Sequence, residues 1–210
     1  MRALSPLLLA LVLAGCGFGG ETTQEAVVGD GLTRYEISSG DFAIGVPETW
    51  HATSATSMRK ASFKRFASQN PAFAAYADAL GKKNSPFKFF AYDSAVHNHF
   101  STNLNVLVQP VPRGATWERY KASALREARS VADSKVEAGE VALPAGKAVK
   151  ARYTVRFTLN GRKKAVSTTQ YALLLDGKSY VLTYTTLPAD RADYAIWFEQ
   201  SAKSFQLTTL

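Results

Sequence analysis

Between Val149 and Leu159 the chain alternates without a break. Val149, Ala151, Tyr153, Val155, Phe157 and Leu159 are apolar or aromatic, and Lys150, Arg152, Thr154, Arg156 and Thr158 separate them. Side chains of a strand point to opposite faces with period two, so this stretch predicts a strand with one oily and one basic face. Asn160-Gly161 supplies the positive φ values of a tight turn, and a second run follows to Leu175. Asp176-Gly177 turns the chain again into Ser179–Thr185. The prediction is a three-stranded antiparallel meander over residues 147–186. Its register has two solutions. A two-residue loop pairs Leu159 with Arg162 and sets Lys164, Val166, Thr168 and Gln170 opposite the oily set. One extra bulge residue sets Ala165, Ser167, Thr169, Tyr171 and Leu173 there instead, and such a slip exchanges the two faces of a strand. The bulge is favoured, because it joins Tyr171, Leu173 and Leu175 to the apolar face, which Tyr180, Leu182 and Tyr184 continue.

Weaker periodicities fill the rest. Leu32–Ile37 and Asp41–Val46 predict a hairpin closed by Pro47. Residues 58–69 and 71–82 predict two helices, with Phe63, Phe66 and Ala67, then Phe73, Tyr76 and Ala77, at i, i+3, i+4. Asn70 before Pro71 suits a cap followed by a first helical proline. Phe87–Tyr92 and Leu104–Val108 read as strands. Thr116 caps a helix running to about Val131, with Trp117, Tyr120, Ala124, Ala128 and Val131 on one stripe and Glu118, Arg119, Lys121, Arg126, Glu127 and Arg129 on the rest. Lys135–Leu143 is a further strand. After Pro188, Asp190 or Asp193 starts a last helix whose Tyr194, Trp197, Phe198 and Ser201 share a face. No repeat and no second domain is visible.

The N-terminus reads as an address. Arg2 precedes an apolar run, Leu7–Leu13, too short to span a bilayer, and Leu13-Ala14-Gly15-Cys16 follows. This resembles the bacterial lipobox. The resemblance implies cleavage before Cys16, a diacylglycerol on its sulfur, and further acylation by chains such as palmitate. Two or three acyl chains anchor stably where one does not. The expected location is the extracytoplasmic side of the cell membrane, with residues 1–15 as signal, 16–31 as lipidated cysteine and Gly/Thr-rich flexible tether, and 32–210 as one domain.

A second resemblance rests on the order of three features: the Val46-Pro47-Glu48-Thr49-Trp50 corner, the meander at 148–186 with Tyr180-Val-Leu-Thr-Tyr184, and a last helix ending Ser204-Phe205. Together they resemble the PsbP-like domain, which many bacterial lipoproteins share, and the resemblance spans Leu32 to Leu210. It implies an α+β fold, an antiparallel sheet with a C-terminal meander covered by helices as an α/β/α sandwich. Residues 58–82 and Phe87–Asn103 are not part of the pattern. It carries no catalytic residue.

Chemistry narrows the picture little further. The formal charge is +8, which suits an anionic partner: lipid headgroups, a wall polymer or an acidic protein. Nucleic acid does not suit an exported chain. With one cysteine there is no intrachain disulfide, and lipidation consumes the thiol. No G-x-S-x-G, H-E-x-x-H or P-loop motif occurs, so no enzyme and no cofactor is expected. His97 and His99, at i, i+2, with Asp93 or His51 are a weak metal motif, better read as a plain surface loop. Two readings stand. One is a non-catalytic binding or assembly module docking through Lys150, Arg152, Arg156, Arg162, Lys163 and Lys164, a set that otherwise solvates a sheet face and hairpin tip. The other is a carrier of a small apolar or lipidic ligand, in a pocket lined by residues such as Phe63, Phe66, Phe73 and Tyr76.

Overall fold

The structure is a computed structural model and describes residues 24–28, 31–54, 85–98, 100–159 and 162–208. Its strands are β1 (Gln24–Val28), β2 (Leu32–Ile37), β3 (Phe42–Pro47), β4 (Trp50–Ser54), β5 (Phe87–Asp93), β6 (Asn103–Pro110), β7 (Glu137–Leu143), β8 (Gly146–Leu159), β9 (Arg162–Leu175), β10 (Lys178–Thr186) and β11 (Gln206–Leu207). Helix α1 (Trp117–Val131) joins β6 to β7, and α2 (Arg191–Ser204) follows β10 after a 3-10 turn at Pro188–Asp190. A seven-stranded sheet has the order β4-β5-β6-β10-β9-β8-β7, and a four-stranded sheet the order β1-β2-β3-β11. Every pairing is antiparallel. The fold is the expected α+β class, with the meander at its C-terminal half. The two helix candidates at 58–82 lie outside the described residues.

The favoured register of the meander is corrected. Leu159 pairs with Arg162, Val155 with Val166 and Tyr153 with Thr168, the register of a plain two-residue hairpin with no bulge. The reason is that both faces of the large sheet are covered, so the apolar sets of β8 and β9 need not share one. On one face Ala151, Tyr153 and Val155 meet Ala128, Val131 and Ala132 of α1 and its end. On the other, Ala148, Tyr171 and Leu173 join Tyr180, Leu182 and Tyr184 in the main core. The second turn is as read: Asp176 and Gly177 both take positive φ, 47° and 71°, and Leu175 pairs with Lys178.

The main core lies between the large sheet and a layer made of α2 and the small sheet. Phe42 of β3, Phe205 after α2 and Tyr180 of β10 meet ring to ring, with Phe42 and Phe205 at 5.4 Å between centroids. Phe198 stacks on Tyr184 at 4.9 Å. Burial of such side chains is worth about 1.5–3 kcal/mol each. A hydrogen-bonded seam fixes α2 on β3. Ser201 Oγ donates to the Gly45 carbonyl at 2.6 Å, and the Gly45 N–H donates to Ser204 Oγ at 2.7 Å. Tyr184 donates to Ser201 Oγ at 3.0 Å. A side chain here would crowd this seam: a Cβ at Gly45 would stand 3.0 Å from Ser204 Oγ, so the helix would have to shift. Trp50 is buried, as a core aromatic after the Pro47 corner, and opens the unpredicted strand β4. The stretch 16–31 contains a second surprise: β1 pairs with β2, so a strand lies inside what reads as tether.

Candidate binding cleft

Helix α1 begins where expected. Thr116 is extended and its Oγ1 accepts from the Arg119 N–H at 3.4 Å, so one free amide of the first turn is satisfied. The helix packs on β8 and β9. Between α1, the β6–α1 connection and the floor of β6, β9 and β10 lies a cavity of about 560 Å³. Val111, Ala124, Ala172 and Val181 give it apolar walls. Gln170, buried on β9, is held by its Nε2 donating to Thr183 Oγ1 at 3.3 Å. Tyr120 crosses from α1 to the sheet, its hydroxyl 2.7 Å from Ser179 Oγ. Burial pushes Tyr120 up to about 12 against the opposing effect of that hydrogen bond, so it stays neutral.

The charges of the cleft are uneven. Arg113, Arg119 and Arg126 line it and are exposed at its mouth. Among the described residues none of the three takes part in an ion pair. Glu127 also lines it, and burial pushes that carboxyl up to about 7. At pH 7 it is therefore about half ionised and offsets only part of the arginine charge. The chemistry this supports is binding. The Tyr120–Ser179 pair joins two groups of which neither is a base near neutral pH, so it does not form a nucleophile–base couple. Next to the cleft, Tyr153, Thr168 and Thr185 stand side by side on β8, β9 and β10. All three are buried, and their hydroxyls find no hydrogen-bond partner among the described residues.

The residues singled out from sequence are placed elsewhere. Lys150, Arg152 and Arg156 share the β8 face that bears Tyr171, not the cleft face. Lys150 Nζ lies 3.8 Å from Glu199 Oε2 and 5.2 Å from the centroid of the Tyr171 ring. Arg152 Nη2 lies 3.5 Å from Glu137 Oε2. Two of these three cations thus have carboxylates beside them. Arg156 is exposed, and its backbone N–H donates to Asp133 Oδ2. Lys163 pairs with Thr158 and so continues that face. Lys164 falls on the other face, and its Nζ donates to the Asn98 carbonyl. The side chain of Arg162 lies outside the described residues, as do Cys16, Phe63, Phe66, Phe73, Tyr76 and His99.

His97 lies 3.1 Å through Nδ1 from Asp190 Oδ2, while His51 sits in β4, its ring 5.3 Å from that of Tyr92. Asp93 is engaged otherwise: it accepts from Tyr194 at 2.5 Å and from the Ala95 N–H at 2.9 Å. Among the described residues no group of three or more His, Cys, Asp or Glu is placed to hold a metal ion. Sequence reasoning set Arg119, Arg126 and Glu127 on the helix beside its apolar stripe without giving them a role, and did not single out Arg113. The available signal was the spacing of Arg119, Ser123, Arg126 and Glu127 at i, i+4, i+7, i+8, a polar stripe bordering the apolar one.

No family model matches the chain, and no curated protein matches it. Several solved structures are similar. The solution structure of CyanoP, the PsbP of the cyanobacterium Synechocystis sp. PCC 6803, has 13% identity, covers 93% of this chain and 98% of its own, and gives a TM-score of 0.48. LpqN of Mycobacterium tuberculosis, described as involved in cell envelope biogenesis, has 10% identity, covers 86% of this chain and 87% of its own, and gives 0.48. The Ran-binding protein Mog1p of Saccharomyces cerevisiae has 12% identity, covers 84% and 95%, and gives 0.48. Among the described residues no helix is long and apolar enough to cross a membrane.

Proposed function

We propose that this chain is a non-catalytic binding module of the bacterial cell envelope, held at the membrane by lipid on Cys16 and taking its ligand in the cleft beneath α1. The observation that carries the reading is the cleft. Its volume of about 560 Å³ falls inside the range of small-molecule sites, roughly 300–1,000 Å³. Its walls combine apolar residues, Val111, Ala124, Ala172 and Val181, with polar groups that can orient a ligand, among them Gln170, Tyr120 and Ser179 on the inside and the arginines at the edge. The anchor is supported by residues 1–16. The ligand reading gains over docking through the basic strand, since Glu199 and Glu137 stand beside Lys150 and Arg152.

The test is native mass spectrometry of the full chain, extracted gently from its host's envelope, beside the variant Ala124→Trp. Ala124 lines the cleft from α1, and an indole there fills the space. The expected result is a small-molecule mass on the wild type and none on the variant. A bare chain in both, or an adduct that survives the tryptophan, overturns the cleft reading. The same spectrum reports whether the chain starts at Cys16 and carries acyl groups.

A further inference from the structure

We infer that the cleft is built for a small amphiphile with one anionic head, carboxylate or phosphate, and an apolar body. This rests on the cleft reading above and names the ligand class. Two separate features of the cavity point to it. The first is the mouth. Arg113, Arg119 and Arg126 come from the β6–α1 connection and from two turns of α1, yet all three are exposed and line the same cavity. Surface arginines commonly find carboxylate partners, as Arg34 does with Glu36 and Arg152 with Glu137 in this chain. These three have none among the described residues, and the planar guanidinium fork suits an oxyanion in bidentate fashion.

The second feature is the floor. Ala172 is buried, and with Val181, Ala124 and Val111 it leaves apolar space below the arginines. A purely polar anion would leave that surface uncovered, and a purely apolar ligand would bring no charge to the mouth. Glu127 supplies only a partial anion near neutral pH, and none of the three arginines is paired with it among the described residues. Its carboxyl resists ionisation up to about pH 7, and burial alone is the cause, with no arginine holding it charged. The head therefore sits at Arg119 and Arg126, and the body lies between α1 and β9–β10.

The test uses the full chain in phosphatidylcholine nanodiscs, titrated calorimetrically with octanoate, octyl phosphate and octanol, with matched empty nanodiscs subtracted. At least one anion should bind about tenfold or more tighter than octanol, because charge-assisted hydrogen bonds are the strong ones. A winning octanoate assigns a fatty-acid type of ligand, and a winning octyl phosphate assigns a phospholipid-type head. The double variant Arg119→Gln, Arg126→Gln should lose the preference, and Ala124→Trp should lose all binding. If octanol binds as tightly as the anions and Ala124→Trp abolishes it, the cleft reading stands and the anionic head is wrong. If no probe binds, or binding survives Ala124→Trp, both are wrong.

Discussion

Glu127 offers a direct check on the environment of the cleft. Its carboxyl is pushed from its ordinary 4.5 up to about 7 by partial removal from water. The folded chain therefore keeps a proton that the unfolded chain has already released. A carboxyl raised in this way leaves stability intact below the unfolded value near 4.5 and subtracts from it as pH climbs to about 7, above which the loss is complete. At about 1.36 kcal/mol per unit the full shift would be worth about 3 kcal/mol. Glu127 is only half-buried, so solvent screening reduces this to about 1–2 kcal/mol. The substitution is Glu127→Gln, which keeps the shape and removes the charge. Urea unfolding of both proteins at pH 5 and pH 8 cancels every other titrating group. The variant should gain about 1–2 kcal/mol on the wild type between the two values, or about 2–8 °C in Tm for a chain of this size. Parallel pH dependence in the two proteins would refute the reasoning and return Glu127 to the solvated helix face.

Three further outcomes follow from the packing and the charges. Gly45→Ala brings a Cβ to 3.0 Å from Ser204 Oγ and 3.2 Å from Leu32, so differential scanning calorimetry should show a loss of about 1–3 kcal/mol; an unchanged Tm would mean that α2 is free to withdraw from β3. Tyr194→Phe removes the hydrogen bond to buried Asp93 and should cost about 1–3 kcal/mol in urea unfolding, whereas an unchanged midpoint would mean that water replaces the phenol there. Arg156→Glu with Lys163→Glu reverses charge on the strand face where neither side chain has a carboxylate partner among the described residues. Sedimentation with anionic vesicles should be unchanged if the cleft is the binding site, and a loss of binding with unchanged Tm would restore docking through the basic face.

The meander was legible because β8 alternates without interruption and Asp176-Gly177 is a turn with the φ values it needs. Helices α1 and α2 were legible for the same kind of reason: Thr116 caps the first, and in the second Phe198 and Ser201 recur on one buried face. The hairpin register was not. The choice of a bulge assumed one wet face, and nothing local to β8 and β9 says that a helix lies on each side of the sheet. Strand β4 is five residues long, straight after a proline corner, too short to show a period. Strand β1 lies in a stretch whose composition reads as linker, and its pairing with β2 is a matter of backbone hydrogen bonds. The cleft was hidden for a different reason. Gln170 and Ser179 come from the meander and Tyr120 and Glu127 from a helix some fifty residues earlier, and only the β6-β10-β9 strand order brings them together. Conversely, Lys150 and Arg152 looked free because their partners Glu199 and Glu137 are distant in sequence or across a strand pair.

The most direct measurement is a crystal structure of the full chain extracted from its host's envelope without exchange of bound molecules. The account predicts density for a small molecule beneath α1, its polar end at Arg119 and Arg126 and its body over Ala172 and Val181. A cleft closed by movement of α1 onto β9 and β10, or one holding only ordered water, would contradict it.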